Sequence, residues 1–160
     1  MVEKPKEIKH EKEVKHEAKK PKKSRKKAAK VVIVRGKRKR AIARATVKPG
    51  TGIVRVNTVL VDAIDNPLMR ETIKEPLLLA PGVSSKLDIN VNVKGGGPMG
   101  QAEAARNAIA VGMCTFTGDE ALKAQFMEHD KYLLIEDARR IEPKKYMGPK
   151  ARARKQKSYR

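Results

Sequence analysis

The sequence predicts an α+β domain with helices on the apolar face of its sheet. Residues 87–94 alternate between apolar and polar side chains, which indicates a strand with one buried and one exposed face. A stripe of apolar side chains at helical spacing then follows in residues 102–116: Ala102, Ala105, Ile109, Met113 and Phe116. The order along the chain is strands, helix, strand, helices, which is typical of α+β domains.

Three further strands are predicted before residue 62. The first begins with the apolar run 31–34 and continues into the period-two alternation of 41–47, the second covers 53–57, and a short one follows at 59–61. The turn signal at 48–52 joins the first to the second. We therefore expect a β-hairpin whose first strand carries a run of basic residues.

The helices are predicted from their termini. Asn66 is a typical N-cap and Pro67 a typical first helical residue, and Pro76 predicts where that helix ends. Asp119 begins a shorter helix that turns Leu122 and Phe126 inward. Residues 132–135 form a final apolar run.

Charge divides the chain of 160 residues into three parts. The net charge is +20, from 38 Lys and Arg against 18 Asp and Glu. Residues 1–30 carry a net +8 with few apolar residues and are expected to be a disordered Lys-rich extension. Residues 31–142 are expected to form one globular α+β domain, and residues 143–160 an extended basic tail.

The domain itself is close to neutral apart from one basic run. Without that run it carries a net −2; the run consists of Arg35, Lys37, Arg38, Lys39, Arg40 and Arg44. The partner is therefore expected to be an anion. Five aromatic residues and no Trp argue against base stacking, so phosphate contact and shape should dominate. The block Lys19–Lys30 fits either an RNA-binding arm or a solubilising tail.

Several classes of protein are excluded. A lone cysteine, Cys114, allows no internal disulfide and no cysteine-based zinc motif, and it fits a reducing, cytosolic compartment. No stretch is apolar enough to span a bilayer or to serve as a signal core. Neither Cys114 nor His10, His16 and His129 has the partners of a catalytic or metal site. We expect no enzyme, no cofactor and no small-molecule substrate, and we interpret Glu136 and Asp137 as surface charges paired with arginines.

The glycine-rich segment 95–100 admits two interpretations. Gly95, Gly97 and Gly100 match the G-x-G-x-x-G pattern of dinucleotide-binding proteins. The surrounding sequence does not match that fold, because Asp119 begins a helix where the dinucleotide fold needs the end of a strand. Too few residues follow Gly100 to form the further strands of a doubly wound sheet. Bare backbone at a helix N-terminus remains a suitable seat for a phosphate, here one of a polynucleotide.

The C-terminal segment 143–160 has eight cations and no acidic residue. Fully extended it would span about 60 Å, several times the ~13 Å radius of gyration of such a domain. Its like charges should keep it disordered in isolation and allow it to order among phosphates.

Three segments resemble one protein family. Gly36–Arg44, Gly95–Ala110 and Ser158–Arg160 are similar to the ribosomal protein S-nine family of the small subunit, in its archaeal form, and the resemblance covers about residues 31–160. Arg40 stands where the family most often has Thr, and residues 1–30 lie outside the family pattern.

The resemblance implies a fold like the second domain of ribosomal protein S-five, an α+β sandwich of a mixed sheet with helices on one face and a left-handed βαβ crossover against the usual rule. It implies a structural protein that binds rRNA of the subunit head beside other head proteins, supports translation and reaches the P-site tRNA anticodon stem-loop with its tail. The positions implied for rRNA are Arg35, Lys37, Arg38, Lys39, Arg40, Arg44, Gly95, Gly96, Gly97, Gln101, Arg106, Lys144, Lys145, Lys150, Arg152, Arg154 and Lys155. Those implied for tRNA are Lys157, Ser158, Tyr159 and Arg160.

Two other classes of function are kept as alternatives. A nucleic-acid chaperone or DNA-compacting protein would share the charge and would bind duplex DNA and rRNA indifferently. A dinucleotide-dependent enzyme would retain its cofactor on purification.

Overall fold

The structure, a computed structural model, describes residues 30–146 and 148–153. The strands are β1 (Val32–Arg38), β2 (Ala41–Pro49), β3 (Val54–Val56), β4 (Val59–Leu60) and β5 (Leu87–Lys94). The α-helices are α1 (Pro67–Leu79), α2 (Pro81–Ser84), α3 (Pro98–Thr117) and α4 (Glu120–His129), with short 3₁₀ turns at Val61–Ala63 and Lys131–Leu133. The predicted α+β class is confirmed.

The five strands form one mixed sheet in the order β1-β2-β5-β3-β4. All neighbours are antiparallel except β3 and β5, which are parallel and joined by the crossover that contains α1. The predicted hairpin between residues 41–47 and 53–57 is therefore wrong, because β5 lies between them. The hairpins in the structure are β1–β2 and β3–β4. The predicted first strand is also wrong as a single strand, because it folds back on itself at Lys39 and Arg40, so the basic run extends over β1, this turn and β2.

The turn at residues 48–52, which the sequence predicted to close a hairpin, is hydrogen-bonded to the start of β5. The amide of Gly50 donates to the carbonyl of Lys86 at 2.9 Å. The Asp88 carboxylate accepts from the amides of Thr51 and Ile53 at 2.8 and 3.1 Å. These long-range bonds direct the chain past the end of β5 instead of closing a local hairpin.

The core lies between one face of the sheet and α3. Small side chains on β2 are fully buried beneath the helix, and two glycines permit close approach. A Cβ at Gly36 would lie 2.4 Å from the carbonyl oxygen of Ala104, and one at Gly112 would lie 2.8 Å from Val47 Cγ2. The predicted stripe on α3 and the alternation of β5 both face this core, as expected.

Helix α1 begins as predicted but does not end at Pro76. The Asn66 side chain accepts from the amides of Leu68 and Met69 at its start. Pro76 is buried inside the helix, which continues to Leu79 and packs against α3. A proline inside a helix costs about 3 kcal/mol, so we attribute the continuation to the burial of Ile73 and Pro76.

The last helix matches its prediction. Asp119 caps α4, accepting from the amide of Ala121 at 3.3 Å, and Leu122 and Phe126 are buried. Lys30, the first described residue, donates to the carbonyl of Phe116 at 2.7 Å near the C-terminus of α3. Residues 1–29, which hold nearly all of the predicted Lys-rich extension, lie outside the described residues.

Candidate nucleic-acid interface

The β1–β2 turn presents two basic side chains at one end of the sheet. Arg38 and Ala41 are paired across the strands, so Lys39 and Arg40 form a two-residue connection. Both side chains are exposed. Lys39 has a φ of 53°, in the left-handed region that non-glycine residues seldom adopt. The fold therefore holds a cation in a strained turn at the surface.

The glycine-rich loop lies directly against this turn. Gly95 and Gly96 have φ values of +76° and +70°. A Cβ at Gly95 would lie 2.8 Å from the carbonyl oxygen of Arg40, and one at Gly96 would lie 2.9 Å from the amide nitrogen of Ala41. Glycine is required here for both conformation and space. Two distant segments of the sequence thus meet as one surface.

The first turn of α3 adds backbone donors to that surface. Gly97 is its N-cap and supplies no side-chain bond, and Pro98 has no amide hydrogen. The amides of Met99 and Gly100 have no acceptor within the helix, as in any first helical turn. Gln101 fixes the loop, because its side-chain amide donates to the carbonyl of Gly95 at 3.2 Å. The free amides, the positive end of the α3 helix dipole and the basic turn all lie at this end of the domain.

Two of the predicted rRNA-binding arginines have largely buried side chains and each pairs with two carboxylates within the protein. Arg38, whose side chain is 18% exposed, pairs with Glu103 and Asp137. Arg106, 15% exposed, lies 2.6 Å from carboxylate oxygens of both Glu75 and Asp130. Burial raises the pKa of Asp130, but hydrogen bonds from the Tyr132 amide and from Arg106 outweigh it and hold that pKa below its ordinary value. Arg38 links β1 to the segment after α4, and Arg106 links α3 to α1 and to the first residue after α4.

The interpretation of Asp137 as a surface charge is wrong. Its side chain is only 4% exposed and pairs with Arg38 and with Arg139, at 2.6 Å. Glu136, whose side chain is 30% exposed, lies 3.4 Å from Arg35 and 4.0 Å from Arg140, so it pairs with arginines as expected but is half-buried. The segment after the last helix folds back onto β1, and a sequence alone does not reveal that contact.

The basic tail is described as far as Ala153, apart from Met147. Lys144, Lys145, Lys150 and Arg152 are exposed. The chain bends at 148–152, and the Arg152 guanidinium binds the Glu142 carboxylate at 2.5 Å. Arg154, Lys155 and the implied tRNA contacts Lys157, Ser158, Tyr159 and Arg160 lie outside the described residues.

One cationic surface was missed by the sequence reasoning. An open groove crosses the exposed face of the sheet and is lined in part by Arg44, Arg55, Asn90, Asn92 and Lys94. The polar residues that alternate with apolar ones in 87–94 were a signal for this surface. Without the strand order, the sequence does not show that these polar side chains lie beside Arg44 and Arg55.

Two absences complete the description of residues 30–146 and 148–153. No helix there combines the length and apolarity that crossing a bilayer requires. No three His, Cys, Asp or Glu side chains in the same ranges gather as a metal site would demand.

Burial raises the pKa of the Cys114 thiol, which is half-buried against the core.

Comparison with known proteins identifies the family. The family described as Ribosomal protein S9/S16 matches residues 36–160. The chain is 49% identical over 131 residues to the small ribosomal subunit protein uS9 of Methanothrix thermoacetophila, covering 82% of this chain and 99% of that protein. It is 49% identical over 131 residues to uS9 of Desulfurococcus amylolyticus, covering 82% of this chain and 94% of that protein. It is 47% identical over 146 residues to uS9 of Aeropyrum pernix, covering 81% of this chain and 97% of that protein. The surface formed by the basic turn, the glycine loop and the start of α3 thus lies within the matched region, and the chain belongs to the ribosomal protein S9/S16 family.

Proposed function

We propose that the chain binds rRNA in the head of the small subunit through the end of the domain where the basic turn meets the glycine loop. The observation that carries the proposal is the contact of Gly95 and Gly96 with Arg40 and Ala41, because it brings exposed cations and free helix amides to one surface. Phosphates favour both kinds of group. Neighbouring head proteins would be further partners.

Family membership fixes the class of the protein. The chain is a structural, non-enzymatic constituent of the small ribosomal subunit and acts in translation there. The proposal concerns only which RNA it contacts and with which residues.

The predicted rRNA-binding residues divide by their neighbours in the structure. Those with exposed side chains would contact phosphates directly: Arg35, Lys39, Arg40, Arg44, Lys144, Lys145, Lys150 and Arg152. Lys37, half-buried, and the tail residues Arg154 and Lys155 complete the cationic set. Gly95, Gly96, Gly97 and Gln101 would supply the backbone seat. Arg38 and Arg106 already face carboxylates, so they would hold this surface in place and meet RNA only at its edge.

The tail is proposed to reach the P-site tRNA with Lys157, Ser158, Tyr159 and Arg160. What supports this is the acid-free composition of residues 143–160 beyond a body that is nearly neutral outside its basic run. Tyr159 would stack on a base, worth about 1–3 kcal/mol, or pack on backbone.

We also propose that the domain has a fold like the second domain of ribosomal protein S-five. The parallel pair β3 and β5 with α1 between them is the βαβ unit in which the family resemblance implies a left-handed crossover. An experimental structure that showed a right-handed crossover would contradict a fold like the second domain of ribosomal protein S-five.

The experiment for rRNA binding measures affinity for a head-domain rRNA fragment against salt. If about 6–10 phosphates are neutralised, affinity should fall by about 10³–10⁵ between 50 and 200 mM salt. The double variant Lys39→Gln/Arg40→Gln should bind more weakly with a smaller slope, whereas Lys86→Gln/Lys123→Gln, with the same charge change elsewhere, should bind almost normally. Equal affinities for duplex DNA and for the rRNA fragment would instead favour a general nucleic-acid chaperone.

The tail is tested in purified subunits. Deleting Gln156–Arg160 should leave the protein assembled and weaken P-site tRNA binding. Unchanged tRNA affinity would contradict the proposed contact.

A further inference from the structure

The face of the sheet opposite α3 is a second cationic surface. Its side chains align in rows across the strands, as the register shows. One row is Lys37, Ile42 and Lys94; the next is Arg35, Arg44 and Asn92; the third is Ile33, Thr46, Asn90 and Arg55. We call these three rows the open face. No described helix covers it, since α3 and α1 pack on the other side.

The open face has cations and almost no opposing acid. Arg44, Arg55 and Lys94 are exposed, and none of them forms an ion pair with a described residue. The nearest carboxylate along β5, Asp88, lies beyond the third row and accepts the amides of Thr51 and Ile53. Only Arg35 has an acidic neighbour, Glu136 at 3.4 Å. The face therefore has uncompensated positive charge.

Two of these cations face each other directly. Arg35 and Arg44 are cross-strand partners in the β1–β2 ladder. Like charges in this relation destabilise a sheet. Glu136 beside Arg35 offsets part of this repulsion, and a bound anion above the pair would offset the rest.

The spacing fits an anion with repeating charges. Same-face residues are about 7 Å apart along a strand and neighbouring strands about 4.8 Å apart. Lys94 therefore lies about 8 Å from Arg44, and Arg44 about 12 Å from Arg55, measured between Cα atoms. Asn90 and Asn92 lie between the cations and offer both donors and acceptors.

The chemistry of the face favours helical RNA over unpaired bases. The described aromatic residues lie on α3, α4, the 131–133 turn and the tail, so none is on the open face to stack a base. A broad sheet surface fits the wide, shallow minor groove of an A-form helix, where phosphates and 2′-hydroxyls are displayed. Arginine and lysine would bind the phosphates, and the asparagines the 2′-hydroxyls.

We propose that the open face docks on the sugar-phosphate backbone of an RNA duplex, with Arg55 and Lys94 as binding residues beside Arg44, and Asn90 and Asn92 reading the 2′-hydroxyls. The proposal rests on the proposed function, which it extends to a second contact surface. Together the two surfaces would place RNA against the turn end of the sheet and across its exposed face.

The test uses the full chain and three probes: a 16-base-pair RNA duplex, about the span of one double-stranded RNA module, the DNA duplex of the same sequence, and one RNA strand alone. Arg55→Gln/Lys94→Gln should weaken RNA-duplex binding about tenfold and lower the salt slope by about 2, one for each lost phosphate contact. Lys86→Gln/Lys123→Gln is the matched control, since these exposed lysines lie off the open face. Asn90→Ala/Asn92→Ala should reduce the preference for RNA over DNA duplex.

The outcomes separate this inference from the proposed function. If Arg55→Gln/Lys94→Gln behaves like its control while Lys39→Gln/Arg40→Gln loses binding, the open face is not an RNA surface and the proposed function stands. If Arg55→Gln/Lys94→Gln loses only single-strand binding, the duplex assignment is overturned. Thermal unfolding of each variant verifies that exposed substitutions have left the fold intact.

Discussion

Arg38, the last residue of β1, pairs with the buried carboxylate of Asp137, which lies beyond the last helix. Glu103 on α3 binds the same guanidinium, and Arg139 binds the same carboxylate. This cluster connects the first strand, the central helix and the segment leading to the basic tail. Its position next to the β1–β2 turn means that the protein's internal ion pairs support the proposed RNA surface.

Asp137→Asn should destabilise the protein by about 3 kcal/mol, because it leaves Arg38 with a reduced set of partners in a poorly hydrated site. Urea unfolding followed by circular dichroism measures the change. Arg139→Gln is the control: Arg139 is 69% exposed, so its loss should cost under about 1 kcal/mol. Equal effects of the two substitutions would contradict the assignment of Arg38–Asp137 as the central pair.

Gly36→Ala should be strongly destabilising, by about 2–3 kcal/mol, since its Cβ would meet the backbone of α3 at Ala104 and Ala108, which cannot yield as a side chain can. Gly82→Ala has the same chemical change, but outside its own helical turn the new Cβ would meet no atom within 4 Å. That variant should unfold at the same or a slightly higher urea concentration. Similar midpoints for both would show that β1 and α3 are not in such close contact.

Lys39→Gly should separate stability from binding. Glycine relieves the positive φ of the turn, so the free energy of unfolding should rise by about 0.5–1 kcal/mol. RNA affinity should fall and the salt slope should decrease by about 1. Thr58→Gly, at the other strained turn with a φ of 76°, should stabilise the protein and leave the slope unchanged. An unaltered RNA affinity in Lys39→Gly would remove Lys39 from the interface.

Asp88 should make folding stability pH-dependent in acid. Hydrogen bonds from the amides of Ile53 and Thr51 lower its pKa in the folded state. Its contribution is fully present above the unfolded pKa, near 3.9, and is lost as pH falls through the lower folded value. The wild type should therefore lose more stability than Asp88→Asn between about pH 5 and pH 3. Urea titrations at both pH values test this, with Asp65→Asn as the control. A variant with the same acid sensitivity as the wild type would refute the role of this carboxylate.

Local patterns in the sequence predicted most elements. The alternation of residues 87–94, the stripe on α3 and the caps Asn66 and Asp119 depend on neighbours in sequence, and all of them match the structure. What failed depends on distant contacts. The strand order is determined by which apolar faces pair, Pro76 is retained in α1 by tertiary packing, and Asp137 is buried by a contact with β1.

The candidate interface shows the same division. The basic run and the glycine loop could each be identified from composition and spacing. Their contact could not, because it depends on β5 lying beside β2, and neither could the open face, whose rows combine side chains from four strands. Charge is visible in a sequence, whereas its arrangement on a surface follows from register.

The strand order also has a consequence for how the protein is made. The central strand of the sheet is the last one to leave the ribosome that synthesises it, because β5 lies between β2 and β3 although it follows β4 in the chain. Until residues 87–94 emerge, the nascent chain can form only the local hairpins β1–β2 and β3–β4. The edges of β2 and β3 that later pair with β5 remain unpaired. Insertion of β5 makes most of the long-range pairings in one late step, and such pairings are slow to form. A ribosomal protein of this design is thus completed from its middle, and until then the open strand edges of the two hairpins are exposed to association with other chains.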